Sequence, residues 1–258
     1  MPWTASHPAA VLPLRRFTPQ PLNFAALVCG SMAPDLGYYI NQFGFATFAH
    51  TLPGSFLAAL PTGLFFLVVL YLLRRPFCST LPAPHRQALL PLCKPAPGGL
   101  TNWLIIVGCV LLGVWTHNFW DAWTHDTGWF VVRLPFLQQP VFHIGRNTIF
   151  LPLCLQVFST FAGFFILVFA YFKWLARQRR AAAFDPESDA WRYCFWGALV
   201  VGSVLCAIPL AIHSAGSKHG YLLGRAIVFR TAIFSADVFL PLSLAAVALV
   251  CFRQRAAR

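Results

Sequence analysis

Long apolar runs constrain the fold of this chain more than any other feature. Five runs approach or exceed the roughly 20 apolar residues that a membrane-crossing helix needs. They lie at residues 55–73, 102–123, 148–175, 193–212 and 222–252. Because backbone N–H and C=O groups must bond internally within a bilayer, runs of this length predict helices. We therefore predict an all-α fold, a polytopic helical membrane bundle with about five to six membrane helices.

A sixth apolar segment, Phe24 to Ile40, is interrupted by Gly30 and by the pair Pro34-Asp35. These breaks disfavour a plain crossing, and non-helical backbone at membrane depth is tolerated only where protein covers it or where it lines a cavity. We predict a short or re-entrant helix here, which leaves His7 on the same side as the end of the central helix. The chain shows no internal repeat, so we predict a single integral membrane domain over residues 1–258.

The distribution of charge excludes a soluble nucleic-acid-binding protein, although the net charge is +12. Only 10% of the residues are charged, whereas a soluble domain carries about 25%. The basic residues cluster just after apolar runs, at 74–75, 173–180 and 253–258, which is the positive-inside distribution. We expect a multi-pass protein of the cell inner (plasma) membrane that contacts membrane lipids and no nucleic acid. No protein partner is identified by the sequence.

The same basic clusters predict the orientation of the helices. Residues 76–100 and 176–190 should be cytoplasmic, and residues 124–147 should be outside. The central helix then ends at the outer face, on the same side as His50 and Thr51. The eight cysteines show no paired spacing, so we predict neither a disulfide framework nor a cysteine metal site.

The end of the central run carries three polar side chains at four-residue spacing, His117, Asp121 and His125. Each step of four residues turns only about 40° around an α-helix, so the three side chains form one stripe. Imidazole nitrogen and carboxylate oxygen are ligands of zinc and similar divalent cations. The stripe is consistent with a metal site or with a hydrogen-bonded His/Asp network beside an interfacial aromatic belt. Both interpretations stay open at this point.

Acidic residues number only seven in this apolar chain, so each membrane-associated carboxylate needs a reason. Asp35 follows Pro34, which presents the carboxylate on a turn or lets it cap the next helical turn. Asp237 lies seven residues after Arg230 in the last apolar run. A structural Arg–Asp pair is the simpler interpretation there.

Three separate segments thus bring His or Asp towards one face. A catalytic metal centre takes about three protein ligands and leaves a position open for water. We predict a divalent metal, with zinc as the expected ion, held by His7, Asp35, His50, His117 and Asp121. In the predicted catalytic roles, His125 is a ligand or proton-transfer group, and Asp126 is an acceptor that orients an imidazole.

The order of these motifs resembles that of a known family. The four motifs are Thr4-x-Ser6-His7, Gly30-Ser31-x-x-Pro34-Asp35, His50-Thr51 and His117-x-x-x-Asp121. Over nearly the whole chain they resemble an uncharacterised bacterial multi-pass membrane family, domain of unknown function 4184. Over residues 1–125, by motif only, they are distantly similar to the inner-membrane metal-dependent hydrolases. Those hydrolases often have a second Asp soon after the Pro-Asp, where this chain has Gly37.

The site and the resemblance together predict a membrane-embedded metal-dependent hydrolase. It would act at the outer membrane face on a lipid-linked or phosphoester-like substrate. The alternative is a non-enzymatic multi-pass membrane protein in which the same cluster is a structural or metal- or lipid-binding network. A transporter is a third option, but the polar groups gather at one side of the bundle, with Asp237 as the exception.

Overall fold

The structure is a computed structural model that describes residues 3–17, 22–94, 98–181, 189–216 and 219–256. The chain divides into a first unit, Met1–Leu70 with Ala96–Lys173, and a second unit, Tyr71–Pro95 with Trp174–Arg258. The α-helices, in chain order, are α1 (Pro8–Val11), α2 (Phe24–Met32), α3 (Leu36–Tyr39), α4 (Phe43–Ala49), α5 (Leu52–Gly54), α6 (Leu60–Thr80), α7 (His85–Leu89), α8 (Leu100–Thr124), α9 (Leu151–Ala181), α10 (Ala190–Ala215) and α11 (Gly220–Ala256). Two strands, β1 (Pro140–Ile144) and β2 (Asn147–Phe150), complete the regular structure of the described residues. The single integral membrane domain stays a prediction.

Five helical segments of the described residues are long and apolar enough to cross a membrane. They are Leu52–Thr80, Leu100–Thr124, Leu151–Gln178, Ala190–Ala215 and Gly220–Leu249. Each overlaps one of the five runs in the sequence. The predicted helical bundle is confirmed, and the chain is a membrane protein by the length and apolar character of these helices.

The first span ends later than the sequence predicted. The basic pair and Pro76 were expected to end it near Leu73, but α6 continues to Thr80 with Pro76 inside it. Proline is tolerated in membrane helices where Ser and Thr side chains bond to the backbone. Such bonds form in this turn, because Ser79 Oγ donates to the carbonyl of Pro76 at 2.6 Å and Thr80 Oγ1 to that of Phe77 at 2.8 Å.

Residues 124–147, which the sequence predicted to lie outside between two spans, include regular structure. Strand β1 lies within that range and pairs antiparallel with β2, which begins at its end, with Ile144 opposite Asn147. This register leaves a two-residue turn at Gly145 and Arg146. Gly145 has a φ of 59°, a left-handed conformation that glycine adopts without strain and that tight hairpin turns require.

The segment from Phe24 to Ile40 is short and broken, as predicted. Helix α2 has nine residues, or about 14 Å of length, against roughly 30 Å for a bilayer core. It runs in the same direction as α8: the backbone N–H of Asn23 bonds to Cys109 Sγ at 3.2 Å, and the carbonyl of Ser31 bonds to His117 at 2.8 Å. Helix α2 therefore lies beside residues 109–117 of α8, and its C-terminal end reaches the polar stripe.

Glycines allow α2 and α8 to touch along their backbones. A Cβ atom added to Gly30 would lie 2.1 Å from the carbonyl oxygen of Val110, and one added to Gly113 would lie 2.3 Å from that of Leu27. Real Cβ atoms never approach backbone so closely, so both positions require glycine in this packing. The close approach fixes the position of the turn that follows α2, Ala33–Asp35, relative to α8.

Candidate metal centre

Four separate chain segments bring imidazoles and carboxylates to the C-terminal end of α8 in the first unit. Helix α8 carries His117 and Asp121, which are buried. The 3₁₀ turn after α2 carries Asp35, which is completely buried. His50 follows α4, and His7 follows a 3₁₀ turn at the N-terminus. We call this group of five side chains the polar cluster.

Four ligand-type atoms of the polar cluster lie within 4.8 Å of one another, one each from Asp35, His50, His117 and Asp121. His50 Nε2 lies 3.2 Å from His117 Nε2 and 3.1 Å from Asp121 Oδ2. His117 Nε2 lies 3.3 Å from Asp121 Oδ2 and 3.4 Å from Asp35 Oδ1. The distance from His50 Nε2 to Asp35 Oδ1 is 3.6 Å.

The backbone determines which imidazole nitrogen faces the centre. His50 Nδ1 lies 2.7 Å from the carbonyl oxygen of Ala46, and His117 Nδ1 lies 2.8 Å from that of Ser31. A carbonyl oxygen only accepts, so both Nδ1 atoms donate. In the neutral imidazoles both Nε2 atoms then carry lone pairs, which face each other and two carboxylates. Four acceptors meet with no donor among them, so the centre needs either added protons or a cation.

The separations fit a metal ion. Zinc takes imidazole nitrogen and carboxylate oxygen at about 2.0–2.2 Å, so two ligand atoms of a tetrahedral site lie about 3.3 Å apart. Five of the six separations in this group lie between 3.1 and 3.6 Å. Donation of the other ring nitrogen to a backbone carbonyl is also usual for a metal-ligating histidine. The residues present therefore can hold a metal ion.

His7 lies against the same group, as the sequence predicted. Its ring stacks on that of His117 with centroids 3.7 Å apart and planes at 17°. Its Nε2 lies 3.7 Å from Asp121 Oδ1, and both atoms are buried without a hydrogen-bond partner within the described part of the chain. Asp35 Oδ1 is likewise without a partner there. These three buried atoms without hydrogen-bond partners show that the polar cluster needs a proton or a cation on the side of His7 as well.

His125 lies at the outer edge of the polar cluster. Its Nδ1 bonds to the backbone carbonyl of Asp121 at 3.1 Å and lies 3.6 Å from Asp121 Oδ2. Its side chain is 24% exposed, while its Nε2 is buried and has no partner among the described residues. His125 therefore borders the polar cluster with a partly exposed ring, and its role in proton transfer stays a prediction.

Asp126 is not brought into the polar cluster. Helix α8 ends at Thr124, and His125 is already extended, with φ −100° and ψ 142°. The chain therefore leaves the helical stripe before Asp126, which is exposed. Among the described residues we find no hydrogen bond between Asp126 and an imidazole. The orientation that was predicted for it comes instead from the backbone carbonyls of Ala46, Ser31 and Asp121.

Burial and neighbouring charges set the ionisation of the groups outside the spans. Burial, with a contribution from the adjacent His117, lowers the pKa of His7 to about 3. Burial also lowers the pKa of His125. Burial alone would raise the pKa of Asp35, but positive charge on the adjacent His117 ring outweighs burial and holds that pKa below its usual value, as a cation at the centre also would. At neutral pH these groups are two neutral imidazoles and a carboxylate, the protonation states that metal ligands require.

Comparison with known proteins identifies the family. The model of the family described as "Domain of unknown function (DUF4184)" matches residues 1–252. The chain belongs to this family. No curated protein and no solved structure matches the chain. The resemblance to DUF4184 is thus confirmed, and the similarity to metal-dependent hydrolases stays a prediction.

One contact of this DUF4184 protein was missed by the sequence analysis. Thr4 Oγ1 donates to Asp35 Oδ2 at 2.5 Å, and both side chains are buried. The bond leaves Oδ1 as the carboxylate oxygen that faces the imidazoles. Thr4 was interpreted only as a residue of the first motif. Its place in a motif that also holds His7 was the available indication of this role.

The predicted pair between Arg230 and Asp237 is wrong. In the described part of the chain Arg230 donates to the carbonyl of Ser214, and no charged group pairs with Asp237. Seven residues along a helix separate two positions by about 10.5 Å. That distance is too long for the two side chains to meet while Arg230 is held at the end of α10.

Proposed function

We propose that this DUF4184 protein is a metal-dependent hydrolase of the inner (plasma) membrane that acts at the outer face on a lipid-linked or phosphoester-like substrate. The observation that carries the proposal is the meeting of two imidazole nitrogens and two carboxylate oxygens within 4.8 Å of one another. A divalent cation compensates two buried carboxylates and binds two imidazole lone pairs at once. Membrane lipids are the expected partners, and nucleic acid is not.

Zinc is the cation that this set of ligands favours. Two imidazoles with two carboxylates suit zinc, whereas magnesium prefers octahedral oxygen sites and retains several waters. In this proposal the ion is held by Asp35, His50, His117 and Asp121. His7 supports the site from the side of Asp121 Oδ1, which lies 3.7 Å from His7 Nε2. A bound divalent cation supplies Lewis acidity towards a phosphoryl or carbonyl oxygen of the substrate.

The protein's own groups would provide the proton transfer. His125 is neutral at neutral pH, partly exposed, and has Nε2 without a partner among the described residues. It can accept a proton from the attacking water and return it to the leaving group, and such transfer contributes about 10²–10⁴-fold to a rate. His50, whose side chain is 18% exposed, lies where a substrate approaching from the outer face would first meet the cluster.

A second function is favoured by the number of ligands. Four protein ligands complete a tetrahedral zinc site, and closed sites of this kind are usually structural. The alternative is therefore a non-enzymatic membrane protein in which the metal stabilises the junction of α2, α4 and α8. Both functions predict a bound metal, so only a measurement of substrate turnover distinguishes them. The hydrolase predicts turnover and the structural protein predicts none.

The test pairs two histidine variants in purified protein. The hydrolase proposal predicts that His125→Ala keeps its metal but hydrolyses a long-chain alkyl para-nitrophenyl phosphodiester about 10²–10⁴-fold more slowly. His143→Ala is the matched control, because His143 is exposed on β1 and bonds to Thr148 outside the polar cluster. Equal turnover in both variants removes His125 from catalysis. Bound metal with no turnover in the wild type favours the structural alternative.

The sidedness of the polar cluster is tested separately. The orientation predicts that a membrane-impermeant thiol reagent applied from outside labels Gln138→Cys and spares Ser79→Cys. Both substitutions are made in a background without the native cysteines. Labelling of position 79 from outside reverses the orientation and moves the proposed site to the cytoplasmic face.

A further inference from the structure

An apolar groove of about 290 Å³ borders the polar cluster on the side of His7. It lies wholly within the first unit, between the N-terminal segment, α8 and α9. Its larger lining side chains are Trp120, Phe158 and Ile166, and its smaller ones include Ala10, Ala162 and Gly163. His7 is the one residue that both lines this groove and belongs to the polar cluster.

The groove results from the way the N-terminal segment packs on α9. Ser6 Oγ donates to the carbonyl of Thr160 at 2.7 Å, and the N–H of Trp3 bonds to Thr160 Oγ1 at 3.0 Å. A Cβ atom added to Gly163 would lie 2.8 Å from the carbonyl oxygen of Ser6. The segment therefore rests directly on the helix backbone, and the small side chains around this contact leave the space open.

The surroundings of the groove indicate what occupies it. Helix α9 belongs to the span Leu151–Gln178, and only 17% of its most apolar window is buried. Phe158 is 70% exposed and Ile166 is 52% exposed, so the groove opens on a surface that faces hydrocarbon in a membrane. An occupant of this groove is a hydrocarbon chain, because lipid is the solvent on that side.

The position of His7 connects this apolar space with the polar cluster. His7 Nε2 lies 3.7 Å from Asp121 Oδ1, and its ring stacks on His117. A molecule with its chain in the groove therefore has its polar end beside the proposed metal ligands. This arrangement fits an amphiphile whose head group is an anionic phosphate, which a divalent cation binds.

We propose that the groove holds an acyl chain of a membrane glycerophospholipid, which enters sideways from the bilayer and brings its phosphate to the polar cluster past His7. The inference rests on the proposed function and narrows its substrate class to membrane phospholipids. It assigns Ala162 and Ile166, which line the groove and do not belong to the polar cluster, to recognition of the chain.

The test is photo-crosslinking of purified protein in lipid nanodiscs. The probe is a phosphatidylglycerol with a diazirine in one acyl chain, and labelled peptides are mapped by mass spectrometry. We expect labelling concentrated on residues 158–166 of the wild type. Ala162→Trp fills the groove and should lower that labelling about tenfold, the loss expected from roughly two methylene contacts.

Two further variants keep the outcome interpretable. Ile166→Trp narrows the groove from an exposed position, so it should lower the labelling even if Ala162→Trp fails to fold. Ala170→Trp is the matched control, because Ala170 is a half-buried alanine on α9 that does not line the groove. Labelling should stay at the wild-type level in this control.

The head group is tested with a diacylglycerol that carries the same diazirine and no phosphate. It should label the groove about tenfold less than the phospholipid does, since it cannot bind the cation. Equal labelling by both lipids, labelling spread evenly along α9, or unchanged labelling in both tryptophan variants would overturn the inference. Metal content is measured on the same samples. Wild-type protein that retains its metal but is not labelled on residues 158–166 refutes the groove alone, whereas a metal-free wild type refutes the proposed function.

Discussion

The two units of this chain differ in how the polar groups at or within their apolar helices are surrounded. In the first unit, α2 and α8 touch backbone to backbone, and the polar cluster at their end is buried. In the second unit, α10 and α11 pack along each other but leave large apolar side chains such as Leu205 and Val228 exposed. Asp237 on α11 is half-buried and has no charged partner in the described residues.

The difference shows where this protein can support chemistry. A charged group in an apolar setting is costly unless other polar groups converge on it. The first unit provides that convergence from four chain segments held by tight helix packing, so its ligand atoms keep fixed separations. The described residues of the second unit hold two carboxylates. Arg86 and Arg192 pair with Asp189, and no imidazole converges on either Asp189 or Asp237. A preorganised site is therefore expected only in the first unit.

The largest predicted effect concerns the tight packing itself. Gly30→Ala would place Cβ 2.1 Å from a backbone carbonyl, so we expect destabilisation by about 3 kcal/mol or more. Gly202→Ala in α10 is the matched change, because nothing lies within 4 Å of its added Cβ, and alanine should stabilise that helix by about 0.5–1 kcal/mol. Thermal unfolding in detergent measures both. Similar effects at the two positions would remove the contrast between the units.

A smaller effect is predicted for the hydroxyl that supports Asp35. Thr4→Val keeps the shape but removes the donor to Asp35 Oδ2, so we expect a loss of about 1–3 kcal/mol. Ser203→Ala in α10 is the counterpart, since Ser203 Oγ bonds only to the carbonyl of Leu199 in its own helix and should contribute about 0.6 kcal/mol or less. Denaturant titration followed by tryptophan fluorescence compares them. A Thr4→Val protein as stable as Ser203→Ala would show that Asp35 does not depend on this bond.

The smallest effect is predicted for Asp237. Asp237→Asn should change the unfolding free energy by no more than about 1 kcal/mol, because the structure gives this carboxylate no ion pair among the described residues. Breaking a buried pair with Arg230 would instead cost about 3–5 kcal/mol. The same unfolding measurement decides between them. A loss in the larger range would restore the pair that the sequence suggested.

The sequence predicted the features that depend on composition and on spacing within one helix. The five spans follow from the length of the apolar runs. The position of His117 and Asp121 on one face of α8 follows from their spacing of four residues. The broken segment before Asp35 was also predicted from its Gly and Pro residues. These inferences need only local geometry, which one sequence supplies.

Features that depend on contacts between segments were beyond the sequence. The backbone carbonyls of Ala46 and Ser31 orient two imidazoles, but any residue type supplies a backbone carbonyl, so the sequence does not indicate this role. The bond from Thr4 to Asp35 joins positions 31 residues apart. Asp126 was predicted to orient an imidazole, but α8 ends at Thr124 and Asp126 is exposed. The pairing of Arg230 with Asp237 failed because the end of α10 offered Arg230 a nearer acceptor.

The most direct test of the central claim is the metal content of purified protein by elemental analysis. The account predicts about one divalent metal ion, zinc by expectation, per wild-type chain. Asp121→Asn, His117→Ala and His50→Ala should each lose most of it, because each removes one ligand while the rest of the packing remains. Asp237→Asn and His143→Ala should retain the wild-type amount. Wild-type protein without metal, or an unchanged metal content in all three ligand variants, would contradict the metal centre and leave a protonated structural network in its place.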